Sequence, residues 1–296
     1  MHREPARRTL PVEQALPLIE KAHWYHSFEI LPGIFTSGSV GVDARSLFDL
    51  FLGPDLSGKR ALEIGTWDGC HAFELESRGA EVVAIDVHDP DVTAFNTAKK
   101  ILDSRVEYVR TSIYHIGRNV EGKFDVVVFL GVFYHLKNPI LALEAICDVL
   151  TDDGRLVFEG ECLSHHAQGL SGRKSFWYRP MVCLLARSDL PLALCYPGVH
   201  YKGKCIPSPT CLRSWTAAAG LRVEVLYTSS RPPRRWRQGR IELLKRPFRF
   251  WYHMVFGDHQ RAFGTAVKDD QGPPEEYPVG EPVGKINSVN KGPDGS

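Results

Sequence analysis

The chain has 296 residues, 43% of them apolar, which is enough for one large α/β domain with additions or for two small domains. Its 36 basic and 35 acidic residues give a formal net charge of +1, which excludes binding of nucleic acid through the charge of the whole chain. No run approaches the roughly 18 apolar residues of a membrane span, and no apolar segment of a signal peptide follows the arginines of residues 1–11. We therefore expect a cytoplasmic protein without a membrane partner.

The seven cysteines are scattered and form no C-x-x-C pair. An odd, scattered set favours reduced thiols over a disulfide framework or a zinc site. The adjacent histidines 165 and 166 are poorly spaced for two ligands on one helix face, so we expect no metal site.

Residues 1–42 are predicted to form a short helix and an aromatic segment. Apolar residues at helical spacing indicate a helix over 12–23, although Pro17 weakens its first turn. The segment 24–38 is rich in aromatic residues and is broken by a Pro-Gly pair. It fits either a loop that plugs the edge of the core or a lid over a ligand pocket, in which Trp24 and Tyr25 would contact the substrate.

A glycine loop follows the buried strand predicted over 60–64 and leads into a helix. Gly65 and Gly69 bracket this loop, where the backbone needs positive φ or a ligand comes close. Trp67 stands where a dinucleotide fingerprint has its second glycine, which argues against a pyrophosphate. Asp86 ends the next strand, 81–86, where a carboxylate can accept hydrogen bonds from both ribose hydroxyls. The pattern indicates S-adenosylmethionine (SAM); the alternative is a structural turn followed by a surface aspartate.

Strands and helices alternate over residues 43–247. This alternation predicts an α/β fold with a doubly wound, mostly parallel, seven-stranded sheet of the Rossmann-like type. The further helices are predicted at 43–52, 90–102, 138–150 and 207–219, and the further strands at 106–110, 123–130, 155–161, 221–228 and 240–245. We interpret 162–206 as an insertion over the acceptor pocket after strand 5, 248–267 as a C-terminal helical extension, and 268–296 as a disordered tail.

Ligands of open α/β sheets bind at the carboxyl ends of the strands. Ser112 and Ile113 at that edge are expected to flank the adenine, and Gly131 lies at the same edge just beyond the fourth strand. Tyr134 and His135 lie just beyond, and they either face the reacting centre or merely cap the fourth strand. The full predicted cofactor set is Glu63, Gly65, Thr66, Trp67, Gly69, Asp86, Ser112, Ile113, Leu130 and Gly131.

Residues 231–249 contain eight Lys or Arg and one acid, Glu242. They fit a solvated hairpin and connector, and they also fit a patch that contacts phosphates of RNA.

These motifs resemble the class I SAM-dependent methyltransferases, and within them the tRNA wobble-uridine carboxymethyltransferases (mo5U methyltransferase-like) and their shorter relatives. The resemblance covers about residues 20–246. The residues that carry it are Trp24-Tyr25-His26, Pro32-Gly33-Ile34, Glu63 to Gly69, Ser112-Ile113-Tyr114, Phe129 to Leu136, Pro139, Ile206-Pro207-Ser208, Trp215 and Gly220.

The resemblance implies that Tyr134 and His135 face the reacting centre and that Arg240 approaches the cofactor from the final strand. It also implies SAM contacts at Gly65, Trp67, Gly69, Asp86, Ser112, Ile113 and Leu130.

Two features depart from the tRNA enzymes. A lysine of theirs that helps to hold the carboxylate of carboxy-SAM is replaced here by Ser37, which forfeits a charge-assisted hydrogen bond of about 1.5–3 kcal/mol. The chain also lacks their longer N-terminal extension. Both departures favour ordinary SAM and a smaller acceptor.

Methyl transfer is an in-line displacement, so the protein mainly positions the acceptor and removes its proton. We expect His135, or His26 from the lid, to be the base, and Tyr134 to orient the acceptor or the sulfonium. Three functions fit the sequence: a small-molecule methyltransferase acting on a hydroxyl or amine, for example of a secondary metabolite; a tRNA-modifying enzyme that uses SAM or carboxy-SAM; and a SAM-binding protein without catalysis.

Overall fold

The computed structural model describes residues 9–163, 191, 193–196, 204–231 and 259–270. The N-terminal part contains α1 (Val12–Lys21) and four short strands. These are β1 (His26–Ser27), β2 (Glu29–Leu31), β3 (Ile34–Phe35) and β4 (Val40–Gly41). Strand β1 pairs in parallel with β4, and β2 pairs antiparallel with β3.

The central part alternates as the sequence predicts. Its elements are α2 (Ala44–Phe51), β5 (Arg60–Ile64), α3 (Cys70–Ser77), β6 (Glu81–Asp86), α4 (Phe95–Leu102), β7 (Glu107–Arg110), α5 (Ile116–Asn119), β8 (Phe124–Leu130), α6 (Pro139–Val149) and β9 (Leu150–Cys162). Two 3₁₀ turns, Ile113–His115 and Phe133–His135, follow β7 and β8 at the predicted ligand edge.

The C-terminal elements complete the sheet. They are β10 (Ala193–Tyr196), β11 (Lys204–Pro207), α7 (Pro209–Ala218), β12 (Leu221–Arg231) and β13 (His259–Lys268). The main sheet has the order β12-β13-β9-β8-β5-β6-β7, and β13 runs antiparallel to both neighbours while the other pairs are parallel. The predicted doubly wound, mostly parallel, seven-stranded sheet is confirmed. Apolar side chains on its two faces form two clusters, as expected when helices cover both faces.

The predicted position of the seventh strand is wrong. The strand that fills the space between β9 and β12 is 259–268, not 240–245, so the helical extension is also wrong for residues 259–267. Small residues suit this central position: a Cβ on Gly264 would lie 2.4 Å from the carbonyl oxygen of Val225 and 2.6 Å from the Phe158 ring. Such residues give only a weak strand signal in the sequence.

The expectation of reduced thiols is wrong for one pair. Cys195 and Cys205 form a disulfide between β10 and β11, because the antiparallel register sets them directly opposite each other. Cys70, Cys147, Cys162 and Cys211 are free thiols, and Cys183 lies outside the described residues.

Other predictions fall on parts of the chain that the structure does not describe. These are most of the insertion, with its two histidines, nearly all of the basic segment, residues 248–258 and the tail from 271. No helix in the described ranges combines the length and the hydropathy needed to cross a bilayer.

The placement of β13 can be tested at Ala266, which is fully buried between Val223 and Leu156. Ala266→Asp would bury an unpaired carboxylate, and we expect it to lower the free energy of unfolding by about 3–5 kcal/mol, measured by urea denaturation. The same change at exposed Ala217, on α7, is the matched control and should cost less than about 1 kcal/mol. Equal, small effects of both changes would contradict the strand assignment.

Candidate active site

The loop between β5 and α3 has an unusual backbone. Gly65, Trp67 and Gly69 have φ of 78°, 50° and 84°, the left-handed region that a non-glycine residue adopts rarely. A Cβ on Gly65 would lie 2.4 Å from Val132 Cγ2, and one on Gly69 would lie 2.3 Å from the Phe73 ring. Both glycines are therefore required sterically. Trp67 keeps its conformation because its backbone N–H donates to Asp86 Oδ2 at 3.0 Å.

Asp86 ends β6 as a buried carboxylate that faces the cavity described below. Its Oδ1 accepts from the backbone N–H of His88 at 3.1 Å and lies 2.7 Å from His88 Nδ1. The His88 ring also packs against Trp67, with centroids 4.8 Å apart. A carboxylate has about four acceptor positions, so capacity for a ribose hydroxyl remains. The sequence analysis missed His88, although its place two residues after the acid was visible.

A cavity of about 1970 Å³ opens at the carboxyl ends of β5 to β9. It brings together eleven predicted site residues: Tyr25, His26, Gly65, Trp67, Asp86, Ser112, Ile113, Leu130, Gly131, Tyr134 and His135. Apolar walls from Ile64, Ile85 and Val87 lie beside Asp86, so the residues present fit an adenosine group: apolar surface for the base and a carboxylate for the ribose.

Four predicted residues support the cavity rather than line it. Glu63 is buried beneath the loop, where Thr66 Oγ1 donates to it and His71 Nδ1 lies 3.2 Å away. Gly69 starts α3. Trp24, predicted to touch substrate, is instead a core residue, and its Nε1–H donates to the carbonyl of Ile19 at 2.8 Å.

Asp68 joins the N-terminal segment to the glycine loop. Its side chain is 0% exposed, and Oδ2 accepts from the backbone N–H groups of Tyr25 at 3.1 Å and His26 at 2.8 Å. Asp68 Oδ1 lies 2.6 Å from His26 Nδ1. The Tyr25 ring also packs on Trp67, with centroids 5.5 Å apart. The sequence analysis missed Asp68, because nothing local links it to residues more than 40 positions away.

Tyr134 lies beside an ion pair at the same edge. Arg261 of β13 makes two hydrogen bonds to the carboxylate of Glu159, and its Nη1 lies 3.5 Å from the Tyr134 hydroxyl. Burial raises the pKa of Tyr134, so the phenol is protonated at neutral pH. Both Arg261 and Glu159 were missed because the final strand was misplaced. Arg240, the predicted arginine of that strand, lies outside the described residues.

A protein-family model described as a methyltransferase domain matches residues 41–226, well over half of the chain. The chain belongs to this methyltransferase family. The predicted family, the predicted fold and SAM as the predicted methyl donor are thereby confirmed.

Curated relatives match part of the chain, and solved structures share its fold. A tRNA U34 carboxymethyltransferase of Pseudomonas putida is 30% identical over 142 residues, which are 45% of this chain and 44% of that enzyme. The chain thus matches less than half the length of such relatives. The N-terminal domain of EvdMO1, solved with S-adenosylhomocysteine (SAH) bound, has a TM-score of 0.52 at 14% identity and covers 86% of this chain and 96% of its own. An N-methyltransferase of Haemonchus contortus has a TM-score of 0.51 at 16% identity, and the match covers 76% of this chain and 52% of that enzyme.

The role of Asp86 can be tested by calorimetric titration with SAH. Asp86→Asn removes the charge that would receive the ribose hydroxyls, so we expect the dissociation constant to rise about 10- to 100-fold. Asp89→Asn is the matched control: Asp89 is half-buried, pairs with the exposed Arg110 and does not line the cavity, so its loss should change affinity less than about twofold. Unchanged affinity of the Asp86 variant would exclude it as the ribose ligand.

Proposed function

We propose that this protein transfers the methyl group of SAM to a hydroxyl group of a small, uncharged acceptor, with an amine as the other possible acceptor group. The observation that carries the proposal is the pairing of Arg261 with Glu159. The two hydrogen bonds between them neutralise the cation that the final strand brings to the reacting centre.

The charge of the cavity supports the same proposal. The described residues that line it include three acids, Asp43, Asp86 and Glu159, and two bases, Lys137 and Arg261. Binding of a polyanion such as tRNA depends on excess positive charge. A cavity without that excess suits a neutral acceptor.

The Arg261–Glu159 pair also helps to distinguish SAM from carboxy-SAM as the cofactor. An additional carboxylate near Tyr134 would meet Glu159, and Arg261 is already engaged. The lysine that the resemblance assigns to the carboxylate is replaced by Ser37, which is exposed and does not line the cavity. Both features favour ordinary SAM over carboxy-SAM.

When bound, SAM supplies an activated methyl group with a good leaving group. The protein then positions the acceptor and takes up its proton. His26 lines the cavity and suits the role of base, because Asp68 can hold its Nδ1–H and so leave the lone pair on Nε2. His135 is the second candidate base, with its ring 4.3 Å from that of Tyr134. The protonated Tyr134 hydroxyl orients the acceptor oxygen.

The assignment of the base can be tested by comparing His26→Ala, His135→Ala and Asp68→Asn. We expect His26→Ala and Asp68→Asn each to lower kcat about 100-fold or more. The first change removes the base. The second leaves the ring in place, but Asn would donate to Nδ1 and move the ring proton to Nε2, where the lone pair is needed. His135→Ala should have a smaller effect, and SAH affinity measured by calorimetry should stay within about threefold in all three. Full turnover of His26→Ala would reject His26, and loss of turnover only in His135→Ala would make His135 the base.

The cofactor form can be tested by titrating the purified chain with SAM and with carboxy-SAM. We expect SAM to bind at least about tenfold more tightly, because carboxy-SAM would bury an uncompensated carboxylate. In parallel, methyl-labelled SAM is incubated with aromatic hydroxyl compounds, amines and bulk tRNA. Label in the hydroxyl compounds is the expected result, whereas tighter carboxy-SAM binding with label in tRNA would overturn the proposal.

The second candidate function is modification of the tRNA wobble uridine, which rests on the named relatives. The basic segment around Arg234 and Arg235 would then contact phosphates. RNA binding that weakens steeply with salt, and is lost on changing both arginines, would favour this function.

A further inference from the structure

We infer that the acceptor is an extended apolar compound, with fused rings or a comparable flat skeleton, that carries its hydroxyl at one end. This inference rests on the proposed function and names the class of its substrate. It comes from the part of the cavity that lies beyond the reacting centre, between α2 and the strands β12 and β13.

The size of the cavity leaves room for a second occupant. Pockets for one drug-sized ligand measure about 300–1,000 Å³. The continuous cavity of about 1970 Å³ is roughly twice the upper figure. The cofactor end, at Asp86 and Ile113, therefore leaves room for an acceptor of similar size in the same enclosure.

The strand register shows what the acceptor would meet. Leu130, Glu159, Phe263 and Tyr227 are direct partners on four neighbouring strands, so they form one row across the sheet. Partner side chains lie on the same face, and all four line the cavity. The row thus leads from the reacting edge at Leu130, past Glu159, onto two aromatic rings.

Helix α2 supplies the opposite wall. Leu47 and Leu50 line the cavity, and the Phe51 ring contacts Tyr227 with centroids 6.3 Å apart. Leu50 is 61% exposed and Tyr227 is 54% exposed, and both large side chains line the cavity. Exposed apolar surface within a cavity is typical of a ligand site.

Strand spacing gives the length of the acceptor. Neighbouring strands are about 4.8 Å apart, so Phe263 lies about 10 Å and Tyr227 about 14 Å from Leu130 along the row. Glu159, which lies between Leu130 and Phe263 in the row, has its charge neutralised by Arg261. An uncharged apolar skeleton of this length would reach both rings while its hydroxyl stays beside Tyr134.

The experiment uses N-phenyl-1-naphthylamine, an uncharged dye whose fluorescence rises on apolar surfaces, and the full chain saturated with SAH. We expect the dye to bind without displacing SAH. Leu50→Ser and Tyr227→Ser should each weaken the dye about five- to tenfold, because they remove apolar contact area. SAH affinity, measured by calorimetry, should not change, and it also reports that the variants are folded. Leu16→Ser is the matched control, since Leu16 is 40% exposed on α1 and does not line the cavity.

Three results would overturn the inference: no dye binding, complete displacement of the dye by SAH, or equal dye affinity in the wild type and both cavity variants. The proposed function is tested separately with labelled SAM and two hydroxyl acceptors, phenol and 2-naphthol. We expect faster methylation of 2-naphthol and a loss of this preference in Leu50→Ser. Dye binding as expected without methylation of either compound would keep the apolar site and reject hydroxyl transfer to this class.

Discussion

The left-handed turn from Gly65 to Gly69 is the constraint on which the rest of the site depends. The turn brings the Trp67 N–H to the Asp86 carboxylate and places Asp68 beneath the N-terminal segment, so two buried acids fix opposite sides of one loop. A side chain at either glycine would collide with Val132 or Phe73. The backbone therefore sets the position of the Asp86 end of the cavity and of the N-terminal segment at Tyr25 and His26.

Strand β13 has a comparable effect on the other end of the cavity. It enters the sheet antiparallel between β9 and β12, so its first residues, not its last, lie at the ligand edge. That direction brings Arg261 to Glu159 and Tyr134, and it sets Phe263 in line with Tyr227. One strand thus supplies both the cation beside Tyr134 and part of the apolar wall of the cavity.

The two ends of the cavity differ in chemistry because different parts of the chain build them. Strands β5 to β8 present glycines, hydroxyls and the Asp86 carboxylate, which suit a polar nucleoside. Helix α2 and the strands β12 and β13 present leucines and aromatic rings. The Glu159–Arg261 pair lies between the two environments, and its internal neutrality lets an uncharged group approach Tyr134 without an unpaired charge nearby.

The sequence by itself determined the sheet strands β5 to β9 and β12 and the helices α2, α3, α4, α6 and α7. It also determined the glycine loop, Asp86 and the edge residues from Ser112 to His135. These features are local: buried parallel strands are short apolar runs, and the residue after each run lies at the ligand edge. Only the tertiary structure decided the partners of Asp68, the position of β13, the Cys195–Cys205 link and the pairing of Arg261 with Glu159. Each joins residues that local periodicity does not relate. Strand β13 contains Ala262, Gly264 and Ala266, which have low strand propensity, so its strand conformation is stabilised by its two neighbours rather than by its own pattern.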